Sequence, residues 1–158
     1  MVNVIQAAGF YFPDSSGGTE VYIDGLIQGL NQQGINCLVA AAQNDEGEQE
    51  YVYNNTQVYR YPVFPHLDTS QIRATKPHGG FEFFKNWLSK QDAQIYHQHS
   101  WTTGCGIHHL RYAKSLGLKT VVTVHVPGNI CLRGTMLLNG DEPCDGEIQQ
   151  ARCSACWA

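Results

Sequence analysis

Phe12-Pro13-Asp14-Ser15-Ser16-Gly17-Gly18-Thr19-Glu20 joins two segments of different periodicity, and that junction decides the fold. Ahead of it, Val2 to Ala8 is a mostly apolar run of strand length. Behind it, Ile23, Leu26, Ile27 and Leu30 fall at i, i+3, i+4 and i+7, the spacing of an amphipathic helix. A strand that passes through paired glycines into a helix leaves backbone N–H groups without intrahelical partners. The positive end of the helix dipole lies behind them, so the spot favours an anion such as phosphate. Without a Cβ at Gly17 and Gly18, a ligand can approach the main chain closely. Thr19 is the expected N-cap, and Glu20 falls in the first turn, where a carboxylate is favourable. The competing reading of the same residues is a tight strand-to-helix turn that uses glycine for geometry alone.

Outward from this junction, the helix is expected to end near Gln33, with Gly34 at the left-handed position beyond it. Gly25 and Gly29 lie inside it, each costing ~1 kcal/mol against alanine. Close packing of that helix face on a sheet is the expected compensation. Asn36 to Ala42 reads as a second buried strand and Gln43 to Glu50 as a solvated loop. Tyr51–Tyr53 and Gln57–Tyr61 flank Asn54-Asn55 as a strand pair around an asparagine turn. Pro62 to Gly80 reads as an irregular surface excursion. Phe81, Phe84, Trp87 and Leu88 mark a second amphipathic helix ending near Lys90, and Ala93 to His97 a third strand. Thr103 is the expected cap of a helix whose buried stripe is Ile107, Leu110, Ala113 and Leu116, closed by Gly117. Thr120 to Val126 is almost unbroken β-branched sequence, as expected of a central parallel strand covered on both faces.

Strands alternating with helices imply an α/β fold, a Rossmann-like parallel sheet with right-handed crossovers and helices on both faces. In such sheets the ligand crevice lies outside the carboxyl ends of the strands. That rule gathers the Gly17-Gly18 loop, Gln98-His99-Ser100 and His125 with Val126-Pro127-Gly128 on one rim. The dinucleotide fingerprint G-x-G-x-x-G is absent after the first strand, and G-K-[ST] occurs nowhere, which excludes a Walker A loop.

The chain of 158 residues suits a single domain, with Asn129 to Ala158 a cysteine-rich subsegment. Net charge is −4 and the ten Lys and Arg are scattered, which argues against nucleic-acid binding. No apolar run approaches the ~18 residues needed to cross a bilayer. Met1 leads into a strand pattern rather than an export signal, so the expected location is cytoplasmic, with peripheral membrane attachment left open. Of six cysteines, Cys37 and Cys105 read as small buried hydrophobes. Cys131, Cys144, Cys153 and Cys156 crowd the C-terminal segment. In a reducing compartment four such thiols suit a structural Zn²⁺ or an iron–sulfur cluster, and a metal would stabilise a segment poor in apolar residues. Free or oxidised thiols are the alternative.

Phe12-Pro-Asp-Ser-Ser-Gly-Gly-Thr-Glu-Val-Tyr, then Leu26-x-x-x-Leu30 with Gly34, resembles the opening of the retaining glycosyltransferases of family 4, which have the GT-B fold. The likeness continues through Ile95-Tyr96-His97-Gln98-His99, Thr123-Val124-His125, Cys131-x-Arg133-Gly134 and the late cysteines. It implies an N-terminal, acceptor-side Rossmann-like domain, with a C-terminal GT-B domain absent from this chain, and hence a fragment inactive alone. It also implies a nucleotide-sugar donor and a sugar or lipid-linked acceptor. Carried over, Gly17 and Gly18 would hold the nucleotide sugar's diphosphate or sugar, with Glu20 ordering their loop. His125 would sit against the transferred sugar as the catalytic residue. A satisfied histidine at a strand end is the alternative for His125. His99 and Arg133 would serve the acceptor side, against an uninvolved loop histidine and a solvated arginine. His97 is expected to pack, and Tyr11 and Trp101 are core or sugar-stacking aromatics. Two other functions fit some of these residues: another GT-B enzyme such as a sugar-nucleotide epimerase, and a metal-stabilised binding module centred on the cysteines.

Overall fold

The computed structural model describes residues 2–64 and 76–157. Residues 65–75 of the expected excursion lie outside the described residues. The chain divides into two compact units, Met1–Thr123 and Val124–Ala158.

The first unit is a six-stranded sheet. Its strands are β1 (Asn3–Ala8), β2 (Asn36–Gln43), β3 (Gln49–Tyr53), β4 (Thr56–Pro62), β5 (Ile95–His99) and β6 (Lys119–Thr123). The order across the sheet is β3-β4-β2-β1-β5-β6. All neighbours are parallel except the β3–β4 hairpin. Its turn residues Asn54 and Asn55 have φ of 44° and 63°, the left-handed pair that a two-residue hairpin loop requires. Among the described residues three helices complete the unit: α1 (Gly18–Gln32), α2 (Phe81–Leu88) and α3 (Ile107–Ser115).

The central strands are apolar on both faces, so each face carries its own core. Val4, Ala8, Cys37, Val39, Ala41 and Val58 pack with Ile23 and Ile27 of α1. Ile5, Ala7, Ala40, Tyr59, Tyr61 and Tyr96 pack with Phe84 and Leu88 of α2 and Ala113 of α3. The expected α/β fold, a Rossmann-like and mostly parallel sheet with helices on both faces, is therefore present.

Several local expectations need correction. β6 is an edge strand with Val121 45% exposed, not a central strand covered on both faces. It stops at Thr123, so His125 lies beyond the strand. Gly25 and Gly29 do not pack on the sheet: both are exposed, and a Cβ added to either would meet nothing within 4 Å. Thr19 is not the N-cap of α1; the helix starts at Gly18, and its cap, Gly17, lies two residues before the expected one. Thr103 does not cap α3 either. That cap is Gly106, whose N–H donates to His109 Nδ1 at 3.1 Å. A histidine ring at the third helical position thus takes the half of a capping box usually filled by Glu or Gln, accepting from the N-cap N–H.

The second unit opens with a 3-10 turn at Pro127–Asn129. A hairpin of β7 (Leu137–Leu138) and β8 (Glu142–Pro143) follows, then helix α4 (Gln150–Trp157). Asn139-Gly140 forms the hairpin turn with φ of 52° and 94°, another left-handed pair.

Candidate functional site

Strand order locates the crevice. From β1 the chain winds outward through β2 and β4, then returns to the other side of β1 with β5. The gap between the β1 and β5 ends is the topological switch point, where ligands bind in open α/β sheets. The loop after β1 carries Gly9 to Gly17, and the loop after β5 carries Ser100 to Gly106. They touch at Gly9, where an added Cβ would lie 2.6 Å from Thr102 Oγ1. Only glycine fits that approach. A cavity of ≈ 230 Å³ opens beside it, lined by Gly9, Phe10, Ala42, Asn44, Val63 and the Thr102–Gly104 stretch.

At the start of α1 no side chain caps the helix. The first-turn N–H groups of Gly18 and Thr19 have no intrahelical acceptor by helix geometry. Gly17 and Gly18 are exposed, and nothing lies within 4 Å of a Cβ built on Gly18. Glu20 folds back under this turn. It is 7% exposed, its Oε1 accepts from Ser15 Oγ at 2.8 Å, and its Oε2 lies 2.8 Å from where a Gly17 Cβ would be. The three residues are thus brought together, with the amides open and the carboxylate tucked behind.

Sequence reasoning missed what anchors this loop. Arg60 of β4 is 1% exposed and reaches the loop from below. It donates to the carbonyls of Ala42 (3.2 Å) and Tyr11 (3.1 Å) and to Tyr51 Oη (3.3 Å), and pairs with Asp14 at 3.1 Å. Tyr51 Oη in turn donates to the Phe12 carbonyl. An arginine at an inward position of an otherwise apolar strand was the available signal.

His99 is not a loop residue. It ends β5, is 1% exposed, and its Nε2 meets Gln6 Oε1 at 2.8 Å. Tyr22 of α1 contacts its ring edge-on at 5.9 Å, so His99 lies beneath the start of α1. His97 packs as expected, half-buried and 2.8 Å from Thr123 Oγ1. Tyr11 is fully buried core, whereas Trp101 is 37% exposed on the rim.

A second cluster also escaped the sequence reading. His78 and His109 stack with ring centroids 5.1 Å apart, and their Nε2 atoms are 3.1 Å apart. Burial, reinforced by the neighbouring His108, holds His78 down at about 4. Burial lowers His109 well below the usual imidazole value, with His78 and His108 adding to the effect. Both rings are therefore neutral near pH 7. Because His109 Nδ1 accepts from Gly106, its proton is on Nε2 and faces His78 Nε2. His78 accepts there and carries its own proton on Nδ1, a buried atom with no partner among the described residues. A buried unpaired donor costs ~1–3 kcal/mol, so this one is conspicuous. The cluster lines a cavity of ≈ 230 Å³ that shares Thr102 and Thr103 with the crevice cavity.

His125, Arg133 and the four late cysteines belong to the second unit. His125 is half-buried. Arg133 donates to the Cys156 carbonyl at 2.6 Å, closing the C-terminal end of α4. Cys131, Cys144, Cys153 and Cys156 are free thiols lining a small cavity of ≈ 30 Å³. Among the described residues no three His, Cys, Asp or Glu side chains are arranged to hold a metal ion, so the expected zinc is not supported. Cys131, Cys144 and Cys156 have hydrogen-bonding neighbours instead. Backbone N–H groups, Met136 foremost, lower the Cys131 pKa. Cys156 Sγ accepts from the Asn139 N–H at 3.2 Å and faces the Leu137 carbonyl.

With this geometry in place, comparison with known proteins is informative. The sequence profile of Glycosyltransferase Family 4 matches residues 16–139, from the glycine loop through the hairpin turn. The chain belongs to glycosyltransferase family 4. No curated protein matches the sequence. Among solved structures, this family 4 chain is similar to the catalytic domain of starch synthase IV from Arabidopsis thaliana, bound to ADP and acarbose. Identity is 15% and the TM-score 0.52, covering 78% of this chain and 34% of that one. The likeness is one of fold, and the family 4 chain spans about a third of the neighbour's length. No described helix is long and apolar enough to cross a membrane.

Proposed function

We propose that the chain is the acceptor-side domain of a retaining glycosyltransferase that moves a sugar from a nucleotide-sugar donor to an acceptor. A second α/β domain, outside this chain, would hold most of the nucleotide and complete the enzyme. The observation that carries the reading is the uncapped, exposed start of α1 beside the switch point of the sheet, in a family 4 chain. A leaving nucleoside diphosphate gains negative charge as the glycosidic bond breaks, and preorganised N–H groups aimed at it lower the barrier. Gly17 and Gly18 supply those groups without side chains in the way. Glu20, held by Ser15, fixes the loop rather than touching the ligand. His125 is assigned to the transferred sugar in a front-face displacement. The fold neighbour's ADP is consistent with a nucleoside diphosphate at this rim.

Gly18 gives the test its resolving power. The space around it is open, so the fold does not need glycine there. In the complete two-domain enzyme, Gly18→Trp covers the amides and is expected to lower kcat by ~10²-fold or more, the scale of losing one oxyanion-type contact. Thermal stability should stay within about 1 kcal/mol of wild type. His125→Ala should lower turnover to a similar degree. Full turnover in both variants would refute the site assignment. Isolated, the chain should transfer no sugar.

A further inference from the structure

The loop that delivers the chain to Gly17 is gripped by the β3–β4 hairpin, at the edge of the described sheet. Arg60 of β4 donates from Nη1 to the Tyr11 carbonyl at 3.1 Å and pairs through Nη2 with Asp14. Tyr51 of β3 donates from its hydroxyl to the next carbonyl, that of Phe12, and accepts from Arg60 Nη1 at 3.3 Å. Two residues on, and so on the same face of β3, Tyr53 stacks on Phe12 with ring centroids 4.8 Å apart. The grip passes on to the helix. The Tyr11 carbonyl also accepts from the Ser15 N–H at 3.3 Å, and the Ser15 hydroxyl donates to Glu20 in the first turn of α1.

We propose that Arg60 and Tyr51 are positioning residues, the hairpin side chains that set where the Gly17 and Gly18 amides stand toward an incoming diphosphate. The inference rests on the anion seat assigned above and adds what determines its geometry. Arg60 acts through the loop rather than on the ligand: its side chain is 2% exposed, and its guanidinium is engaged by Ala42, Tyr11, Tyr51 and Asp14. Packing does not call for this residue, because an apolar side chain among Val58, Tyr59 and Tyr61 would fill the strand without the cost of burying a charge. An apolar side chain cannot hold the Tyr11 carbonyl and the Asp14 carboxylate together. A planar guanidinium does so with its fork already set. Such preorganisation matters at this loop, since donors aimed at a developing charge are most effective when they need not move as it forms. A misplacement of about 1 Å is enough to cost a reaction ~10²-fold.

The experiment titrates inorganic pyrophosphate into the ¹⁵N-labelled chain at constant ionic strength and follows the Gly17 and Gly18 amide resonances. In wild type both should shift saturably, with a dissociation constant in the millimolar range. Tyr51→Phe removes one hydroxyl and no charge, and should raise that constant ~2- to 5-fold, within the worth of one hydrogen bond. Arg60→Lys keeps the positive charge but loses the fork, and should raise it ~5-fold or more. The constant is read from folded molecules, so a loss of stability alone leaves it unchanged. Tyr51→Phe carries the test if Arg60→Lys does not fold. The proposal is overturned by wild-type affinity in Tyr51→Phe. It is equally overturned by a folded Arg60→Lys variant that binds as tightly as wild type, because charge alone would then be drawing the anion. Silence of Gly17 and Gly18 in wild type would refute the anion seat and the proposal together. Wild-type binding with unaffected variants would remove the hairpin's role and leave the seat standing.

Discussion

Acid should destabilise the first unit well before its carboxylates titrate, and the His78–His109 pair is the reason. His78 titrates at about 4 when folded against an ordinary 6.5. Between those values the unfolded chain binds a proton that the folded chain excludes. Stability is therefore complete above the unfolded pKa, falls as pH drops through 6.5, and levels off only near 4. Integrating that difference from pH 7 to pH 5 gives a loss of about 2 kcal/mol from His78 alone, close to 1 kcal/mol per pH unit. His109, also lowered, acts in the same direction. Against a typical total of ~5–15 kcal/mol, such a loss is readily measured. Urea unfolding followed by tryptophan fluorescence at pH 7, 6 and 5 gives the slope for wild type and His78→Phe. Phenylalanine keeps a ring in the stack between Tyr61 and His109. It strands the His109 N–H, which costs ~1–3 kcal/mol. That offset is equal at every pH as long as His109 stays neutral, so the slope isolates the titrating group. The variant should be less stable at pH 7 yet flatter toward acid by about 1 kcal/mol per unit. Parallel pH profiles for the two proteins, or a flat wild-type profile, would refute the account of two buried neutral rings.

Gly25→Ala and Gly29→Ala should each stabilise the chain by ~0.4–1 kcal/mol in thermal unfolding, because both sites are open and helical. Arg60→Leu should cost ~3–5 kcal/mol in urea unfolding, since it orphans the Ala42 and Tyr11 carbonyls and releases the loop. Asp14→Asn should cost less than ~1 kcal/mol, because that partner is 63% exposed. Under reducing conditions near pH 7, iodoacetamide should modify Cys131 before Cys105. Backbone N–H groups lower the pKa of Cys131, whereas burial pushes Cys105 up to about 12; mass spectrometry of the alkylated peptides reads the order.

The sheet was legible in the sequence because its strands are apolar on both faces and its helices carry clean stripes. A pattern of that kind has few competing solutions. The positions that went wrong are those where a neighbour distant in sequence decides. Periodicity showed two glycines on α1 but not which way they face, and they face outward. Thr120 to Val126 has the composition of a central strand, yet β6, which takes in only Thr120 to Thr123 of it, is an edge strand of the described sheet. β-branched content measures fit to a pleated surface, and an edge strand satisfies it equally well. The second hairpin had a readable signal in Asn139-Gly140, which the cysteine spacing overshadowed.

For the site, the sequence marked the part made of main chain and missed the parts made of side-chain networks, and the physics explains the division. An anion seat at a helix start needs only glycines and a strand-to-helix junction, both local in sequence. The parts that hold it need residues far apart: Arg60 reaches Tyr11 across 49 positions, and His99 meets Gln6 across 93. No spacing rule spans such distances. The His78–His109 pair, separated by 31 positions, belongs to the same class. What local sequence does carry is the anomaly itself, a charged or ionisable residue where the pattern calls for an apolar one. Arg60 among Val58, Tyr59 and Tyr61 is such an anomaly, and so is His109 on the buried face of α3. Burying these groups costs free energy that apolar residues would not, so each must be matched by partners nearby. Arg60 is matched fully. His78 is matched on one nitrogen only among the described residues, so it is the less completely matched of the two buried groups.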